Sequence, residues 1–380
     1  MSRNDSMQTQ GRVLIAAGGT GGHVFPALAV AQSLRDKGCD VNWLGTKKGI
    51  ESKVVPESGL PIDFLNVVGL RGKGLIYWLK APLLMLVAVV VAMRKIRKIR
   101  PHCVLAMGGF ASAAAGLAAF FTRTPLLVHE QNAIVGTTNK LLTPLATKVY
   151  TGFPDVLSGS GKAIFSGNPL RRPFYSVPEP AQRHFDDSVC RVVVVGGSLG
   201  AQFLNSTLPI AFGLIVEWAA ADELPEGHGL RGKQIEILHQ TGADAVDKVT
   251  VAYQMQGITA NVRGFVDDLS QHYAQAELVI ARAGALTVAE LAAVGVASLL
   301  IPYPHAIDDH QSANADWLVD ANAACKVDQQ NLDSERLARL IADLFADRER
   351  LRKWAEHAKA LATPNAAAVI TTACMECANG

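Results

Sequence analysis

Charge is scarce in this sequence. Lys, Arg, Asp and Glu make up 18% of its 380 residues and leave a net charge of only +2. No global field draws such a chain to nucleic acid, and no Lys/Arg stripe is interleaved with its few aromatics (6%) as an RNA platform requires. A signal-peptide core is missing too: Met1–Gln10 is polar, and the apolar run Val13–Ala17 is too short. Cysteines are few. Cys39, Cys103, Cys190, Cys325, Cys374 and Cys377 show one CxxC, at Cys374 and Cys377, with no second half, which argues against zinc. The expected setting is the cytosol, with reduced thiols, no metal and no nucleic-acid partner.

Apolar residues are plentiful, at 49%, and the chain is too long for one typical core, so two domains are expected. Short β-branched runs alternate with longer helical patterns, the signature of parallel α/β folds. "RVLIAA" (Arg12–Ala17), "DVNWLG", "CVLAM" (Cys103–Met107) and "PLLVHE" (Pro125–Glu130) read as strands, and "PALAVAQSLRDKG" as a helix ending at Gly38. "NPLRRPFYSVPEP" (Asn168–Pro180) holds four prolines and reads as an interdomain linker. Beyond it the design restarts with "RVVVVGGSLGAQFLN" (Arg191–Asn205), followed by strands in "QIEILHQTG", "ELVIARAG" and "VASLLIPYP". The expected architecture is two doubly wound parallel-sheet domains facing across a cleft. Each places a glycine loop at the carboxyl end of its first strand, where open α/β sheets bind ligands.

The first loop is "GGTGGH", Gly18–His23. It lacks the last glycine of the dinucleotide fingerprint, Asp40 starts the second strand instead of ending it, and no Gly-Lys-Ser/Thr follows. What remains is a strand feeding a glycine turn and a helix, which aims unpaired N–H groups and the positive helix end at one spot. That spot suits phosphate or diphosphate, and a second such loop spans Gly196–Gly200. His23, in the first helical turn, is expected to act as phosphate ligand or proton acceptor.

"ARAGALTVAELAAVGVASLLIPYPHAIDDHQSANA" (Ala281–Ala315) is the richest stretch. Thr287 and Glu290 have capping-box spacing. The same residues could instead put the N–H groups of Ala285, Leu286 and Thr287 on a phosphate and the Glu290 carboxylate on a ribose diol. The tail from His305 to Asn314 suits a ligand rich in hydroxyls. No Asp-x-Asp triplet, the common holder of a divalent ion on a sugar-nucleotide diphosphate, occurs anywhere. Leaving-group charge would then fall to helix ends and a cation such as Arg171.

"LIYWLKAPLLMLVAVVVAM" (Leu75–Met93), followed by "RKIRKIR", has the length of a membrane span, but Lys80 and Pro82 split it. A span would also cut the first domain between its strands. Two readings stay open. One is a helix lying on the bilayer, with Arg94, Lys95, Arg97, Lys98 and Arg100 near anionic headgroups and "GLRGKG" (Gly69–Gly74) as a basic loop beside it. The other is a buried helix with a solvated basic end.

Taken together, "GGTGGHVFPALAVA", "GLRGKG", "MGGF", "HEQNAIVGTTNK", "GNPLR", "GGSLGA", "ARAGALTVAE" and "PYPHAIDDHQSANA" closely resemble, in order, the MurG family of glycosyltransferase family 28. The resemblance covers about Gly11 to Asn314. It implies a GT-B fold, with residues 11–170 as acceptor and membrane-associated domain, 171–362 as UDP-GlcNAc domain, and a C-terminal helix over about 363–380 packing back on the first. It also implies metal-independent, inverting transfer of N-acetylglucosamine from UDP-GlcNAc to a lipid-diphosphate-linked N-acetylmuramoyl-pentapeptide. The setting would be peripheral, on the cytoplasmic face of the bacterial inner membrane. The sugar donor would meet Thr20, Gly21, Gly22, Asn132 and Arg171, then Ser198, Val266, Ala285 to Glu290 (Val288 and Ala289 included) and Gln311. Glu290 would hold the ribose, Val266 would offer backbone to uracil, and Gln311 would bind sugar hydroxyls. Gly18, Gly19, Gly108, Gly109, His129 and Gln131 would serve the acceptor, with His23 or Glu130 as the base. Leu199 stands where the family often has glutamine, so that side-chain hydrogen bond is lost. An epimerase acting on UDP-GlcNAc alone, or a nucleotide-sugar sensor on the membrane, would share much of this machinery.

Overall fold

The valine-, leucine- and isoleucine-rich runs become parallel strands buried on both faces, as sheets covered by helices require. The computed structural model describes residues 10–65, 75–197, 201–221, 223–224 and 229–379. "GLRGKG" (Gly69–Gly74), Ser198 and Leu199 lie outside the described residues. The chain divides into two units, Met1–Arg171 with Thr363–Gly380, and Arg172–Ala362.

The first unit contains β1 (Arg12–Ala16), β2 (Asp40–Thr46), β3 (Ile62–Leu65), β4 (Cys103–Ala106), β5 (Leu126–Glu130), β6 (Lys148–Thr151) and β7 (Ala163–Phe165). They pair in parallel in the order β3-β2-β1-β4-β5-β6-β7, with Ile15 opposite both Trp43 and Leu105. Order reverses between β1 and β4, so the loops leaving these two strands turn to opposite faces and open a crevice. On one face lie the helices Gly21–Asp36 and Ala366–Asn379, whose Ala27, Val30, Ile370 and Cys374 share a core with Val13 and Ile15. The helices Leu75–Ile99 and Gly109–Thr122 cover the other face through Ala88, Ala92, Ala111 and Ala115, packed on Leu14 and Val104.

The second unit holds β8 (Val189–Val195), β9 (Gln234–Gln240), β10 (Asn261–Arg263), β11 (Leu278–Ala281), β12 (Ser298–Leu300) and β13 (Ala324–Lys326). Their order is β10-β9-β8-β11-β12-β13, again all parallel, and the reversal now falls between β8 and β11. The proline-rich stretch from Asn168 forms only short helical turns, at Arg172–Tyr175 and Pro180–Gln182. Among the described residues one helix, Gln202–Ala220, is long and apolar enough to cross a membrane, and its Leu204, Leu208 and Phe212 sit in this unit's core.

Pro82 does not interrupt its helix, which runs unbroken from Leu75 to Ile99. One side of it is buried and the other is not. Ala88, Val89, Ala92 and Ile96 face inward, while Leu83, Leu86, Val87 and Val90, spaced as one helical stripe, are exposed.

Candidate functional site

Both reversal points carry glycine loops. In the second unit β8 runs out at Val195 into Gly196 and Gly197, the latter at φ +87°. β11 ends at Ala281, and the chain passes Arg282, Ala283 and Gly284 before the helix Ala285–Val294. Gly284 is the N-cap, with extended backbone and no side chain to offer. The first N–H groups of that helix are therefore left without a side-chain cap, at the positive end of its dipole. Thr287 and Glu290 lie inside the helix, so they do not form the capping box that their spacing allowed, since a box needs the threonine at the N-cap.

Gly196, Gly197, Arg282, Gly284, Thr287 and Gln311 line a cavity of about 820 Å³, within the range of small-molecule sites. Gln311 Oε1 accepts the N–H of Tyr303 at 2.9 Å, which fixes that side chain at the cavity wall. Asn314, buried, donates through Nδ2 to the carbonyl of Ala283 at 3.1 Å and braces the turn into the helix. Arg282 has no place in the expected set. Its guanidinium donates to the carbonyls of Ile301 and Pro302 and to Gln329 Oε1 at 2.6 Å, and lies over the Tyr303 ring. Burial lowers its pKa from the ordinary value, but an arginine stays cationic there. The signal was a lone cation closing an apolar strand just before a glycine.

Two expected contacts of this unit are corrected. Val288 and Ala289 are buried, and the Val288 N–H is donated to the Gly284 carbonyl at 3.0 Å, so neither can reach a ligand. Leu286, Thr287 and Glu290 stay partly exposed, whereas the Ala285 side chain is buried, so Ala285 can offer a ligand only its backbone at the helix start. Val266, expected to offer backbone to uracil, can do so only through its carbonyl. Its N–H is donated to Gln240 Oε1 at 2.9 Å, which leaves its carbonyl.

In the first unit Thr20, with extended backbone, precedes the helix Gly21–Asp36, again without a side-chain cap bond. The loop after β4 presses against this turn. Gly109, at φ +84°, lies so close to the Gly18 carbonyl oxygen that a Cβ would collide with it. A Cβ on Gly108 would sit 2.6 Å from the His23 ring. The fold thus gathers Gly18, Gly19, Thr20, Gly21, Gly22, His23, Gly108 and Gly109, although they come from two loops some 85 positions apart in sequence (23 to 108).

Glu130 is buried, and its carboxylate accepts from four donors: the Asn132 N–H and Nδ2 on Oε1, and the Gly136 N–H and Asn139 Nδ2 on Oε2. Engaged on every side, it shapes the loop through Asn132 and is poorly placed to take a proton, which corrects its candidacy as base. His129 and Gln131 are buried as well, and this corrects their expected place beside the acceptor. His129 Nε2 bonds the Gly167 carbonyl at 3.1 Å. Burial pushes its pKa down to about 4, against the raising effect of that bond, so the ring is neutral near pH 7. Gln131 donates to the Met107 carbonyl at 2.9 Å. Both hold β5 to its neighbours. Arg171, at the end of the unit, is exposed.

The model of the glycosyltransferase family 28 N-terminal domain matches residues 13–151, and that of the glycosyltransferase family 28 C-terminal domain residues 191–372. The UDP-N-acetylglucosamine--N-acetylmuramyl-(pentapeptide) pyrophosphoryl-undecaprenol N-acetylglucosamine transferase of Nitrosococcus oceani is 45% identical over 370 residues, 97% of this chain and 99% of that one. Its namesake from Alkalilimnicola ehrlichii is 46% identical over 365 residues, covering 96% and 98%. Among solved structures, Acinetobacter baumannii MurG superposes with a TM-score of 0.79 at 35% identity, over 96% of this chain and 99% of that one.

Proposed function

The chain belongs to glycosyltransferase family 28, and on that premise we propose that it transfers N-acetylglucosamine from UDP-GlcNAc to a lipid-diphosphate-linked N-acetylmuramoyl-pentapeptide. The observation that carries the sugar-donor half is the uncapped helix start at Gly284, which opens with Gly196 and Gly197 on one cavity of about 820 Å³. A diphosphate there meets N–H groups and a helix dipole, and Glu290 one turn on suits the ribose. The glycine turn at Thr20–Gly22 offers the same chemistry to the acceptor's diphosphate.

The reaction is a single displacement with inversion. The acceptor hydroxyl attacks the anomeric carbon, its proton passes to His23, and the bond to UDP breaks. The departing charge is met by the helix end and by cations such as Arg171. With no Asp-x-Asp triplet in the chain, transfer should persist in chelator.

The test is transfer of labelled GlcNAc to the lipid-linked acceptor in EDTA. His23→Ala should lower kcat by about 10²–10⁴ and flatten the acid limb of the pH–rate profile, with UDP-GlcNAc affinity kept. Glu130→Gln should lose activity without changing the profile's shape. A His23→Ala enzyme as fast as its parent would remove the assigned base. UDP-ManNAc formed from UDP-GlcNAc alone would replace transfer with epimerisation.

Peripheral attachment to the cytoplasmic face of the inner membrane is part of the same proposal. It is supported by the exposed stripe of Leu83, Leu86, Val87 and Val90, with exposed Phe121 on the adjoining helix. Arg94, Arg97, Lys98 and Arg100 follow and are exposed, whereas Lys95 is paired with Asp63. Each leucine moved out of water contributes about 1.5 kcal/mol or more, roughly a factor of ten in partitioning. Leu83→Glu with Leu86→Glu should therefore weaken binding to anionic vesicles by about a hundredfold at unchanged Tm. Undiminished vesicle binding would move the membrane contact elsewhere.

A further inference from the structure

Glu51 takes no part in the chemistry above, yet it is fully buried. It opens the short helix Glu51–Glu57 after β2, and its two oxygens serve two loops. Oε2 accepts the N–H of Gly19 at 3.0 Å, while Oε1 accepts the N–H of Thr46 at 2.9 Å and the Thr46 hydroxyl at 2.7 Å. Three glycines make room for it, because a Cβ on Gly18, Gly45 or Gly49 would strike the Glu51 side chain. Burying a carboxylate is costly unless its oxygens are hydrogen-bonded, so these bonds set the local geometry stringently.

We propose that Glu51 is a positioning residue for the acceptor, a role that rests on the transferase reading above. By drawing the Gly19 N–H toward β2 it fixes Gly19 at φ +98° and sets the turn into the helix Gly21–Asp36. The same turn is held from the other side, where Gly109 abuts the Gly18 carbonyl. Clamped between the two, the helix start and His23 keep one orientation toward the acceptor's diphosphate and hydroxyl. The carboxylate also acts by its charge. It keeps a phosphate off the Gly19 N–H, which is already used, so that Gly19, expected beside the acceptor, shapes the turn instead and the anion is confined to the helix start beyond.

Glu51→Gln separates these roles from simple filling of space. The amide has nearly the same volume but brings one oxygen and one NH2, so it must face either Gly19 or Thr46 with a donor against a donor. The variant should lose about tenfold or more in kcat/KM for the lipid-linked acceptor, and its acceptor Kd should rise alongside. Kd for UDP-GlcNAc, whose cavity at Gly284 lies in the second unit and which meets the first-unit turn only through Thr20–Gly22, should change far less than that of the acceptor. Thr46→Val removes only the hydroxyl and should give a smaller loss in the same parameter, which decides the matter if Glu51→Gln fails to fold. Acceptor kcat/KM and Kd unchanged in the folded variants, or UDP-GlcNAc affinity falling as far as acceptor affinity, would overturn the role of Glu51. A parent protein that binds the acceptor but transfers nothing would instead overturn the transferase reading, and the acceptor Kd of the variants would still judge Glu51.

Discussion

A Gly284→Asp variant should melt slightly later than its parent and fail to hold UDP-GlcNAc. Gly284 is the N-cap of the helix Ala285–Val294, and a Cβ there meets nothing closer than Thr287 Oγ1 at 3.8 Å, so a side chain can be built without strain. An aspartate at an N-cap accepts from the first turn and complements the dipole, together worth about 0.5–1 kcal/mol, or roughly 2 °C in Tm. The same carboxylate occupies the N–H groups that we assign to the diphosphate and repels it. Losing about two charge-assisted hydrogen bonds costs about 4 kcal/mol, or roughly a thousandfold in affinity. Gly284→Asn caps the helix without the charge and should fall between. Calorimetric titration with UDP-GlcNAc reads both variants. An aspartate variant that binds as its parent does would place the diphosphate somewhere other than this helix end.

The second large effect is expected on the acceptor side. Gly109→Ala forces a left-handed backbone on alanine at φ +84° and drives its Cβ into the Gly18 carbonyl oxygen. Left-handed strain of about 1–2 kcal/mol and overpacking of about 1–3 kcal/mol add to about 2–5 kcal/mol, a fall in Tm of roughly 10 °C. Transfer should be lost with it, because relief requires the two loops to part. Gly19→Ala is the graded control. Its φ is similarly positive, +98°, but no atom lies within 4 Å of the added Cβ, so only the strain remains. Equal melting temperatures for the two variants would show that the two loops do not abut as described.

Much of this was legible in the sequence, because strands buried on both faces must be written as apolar runs. "RVLIAA" and "PLLVHE" become β1 and β5 almost to the residue, and "RVVVV" becomes β8, which starts two residues earlier, at Val189. Short edge strands such as β10 (Asn261–Arg263) carry too few residues and too much polarity to stand out. The glycine loops were readable as anion sites, since a strand, a glycine turn and a helix suffice for the physics. What stayed hidden was which polar residues face inward. His129, Gln131 and Glu130 stand beside a glycine-bearing loop in sequence, and only the fold shows that all three are buried. Glu51 and Gln240 were invisible for the converse reason. Each acts on a loop from another strand, Gly19 and Val266 respectively, and no local spacing announces such a pairing. The start of the helix at Ala285 separates capping box from ligand site. Had the helix begun about one turn later, Thr287 would be its N-cap and Glu290 would close the box.

The helix Ala366–Asn379 has a consequence for biosynthesis. The second unit is spelled by one uninterrupted stretch, Arg172–Ala362, whereas the first is completed only by residues from Thr363 onward. A ribosome delivers residues from the amino end, so the unit begun last can finish first. Until Ile370, Ala373 and Cys374 emerge, the nascent first half keeps Val24, Ala27 and Ala31 uncovered. That waiting, sticky surface is where chaperones should be found on the growing polypeptide, and where premature termination near its end should do damage out of proportion to the residues lost.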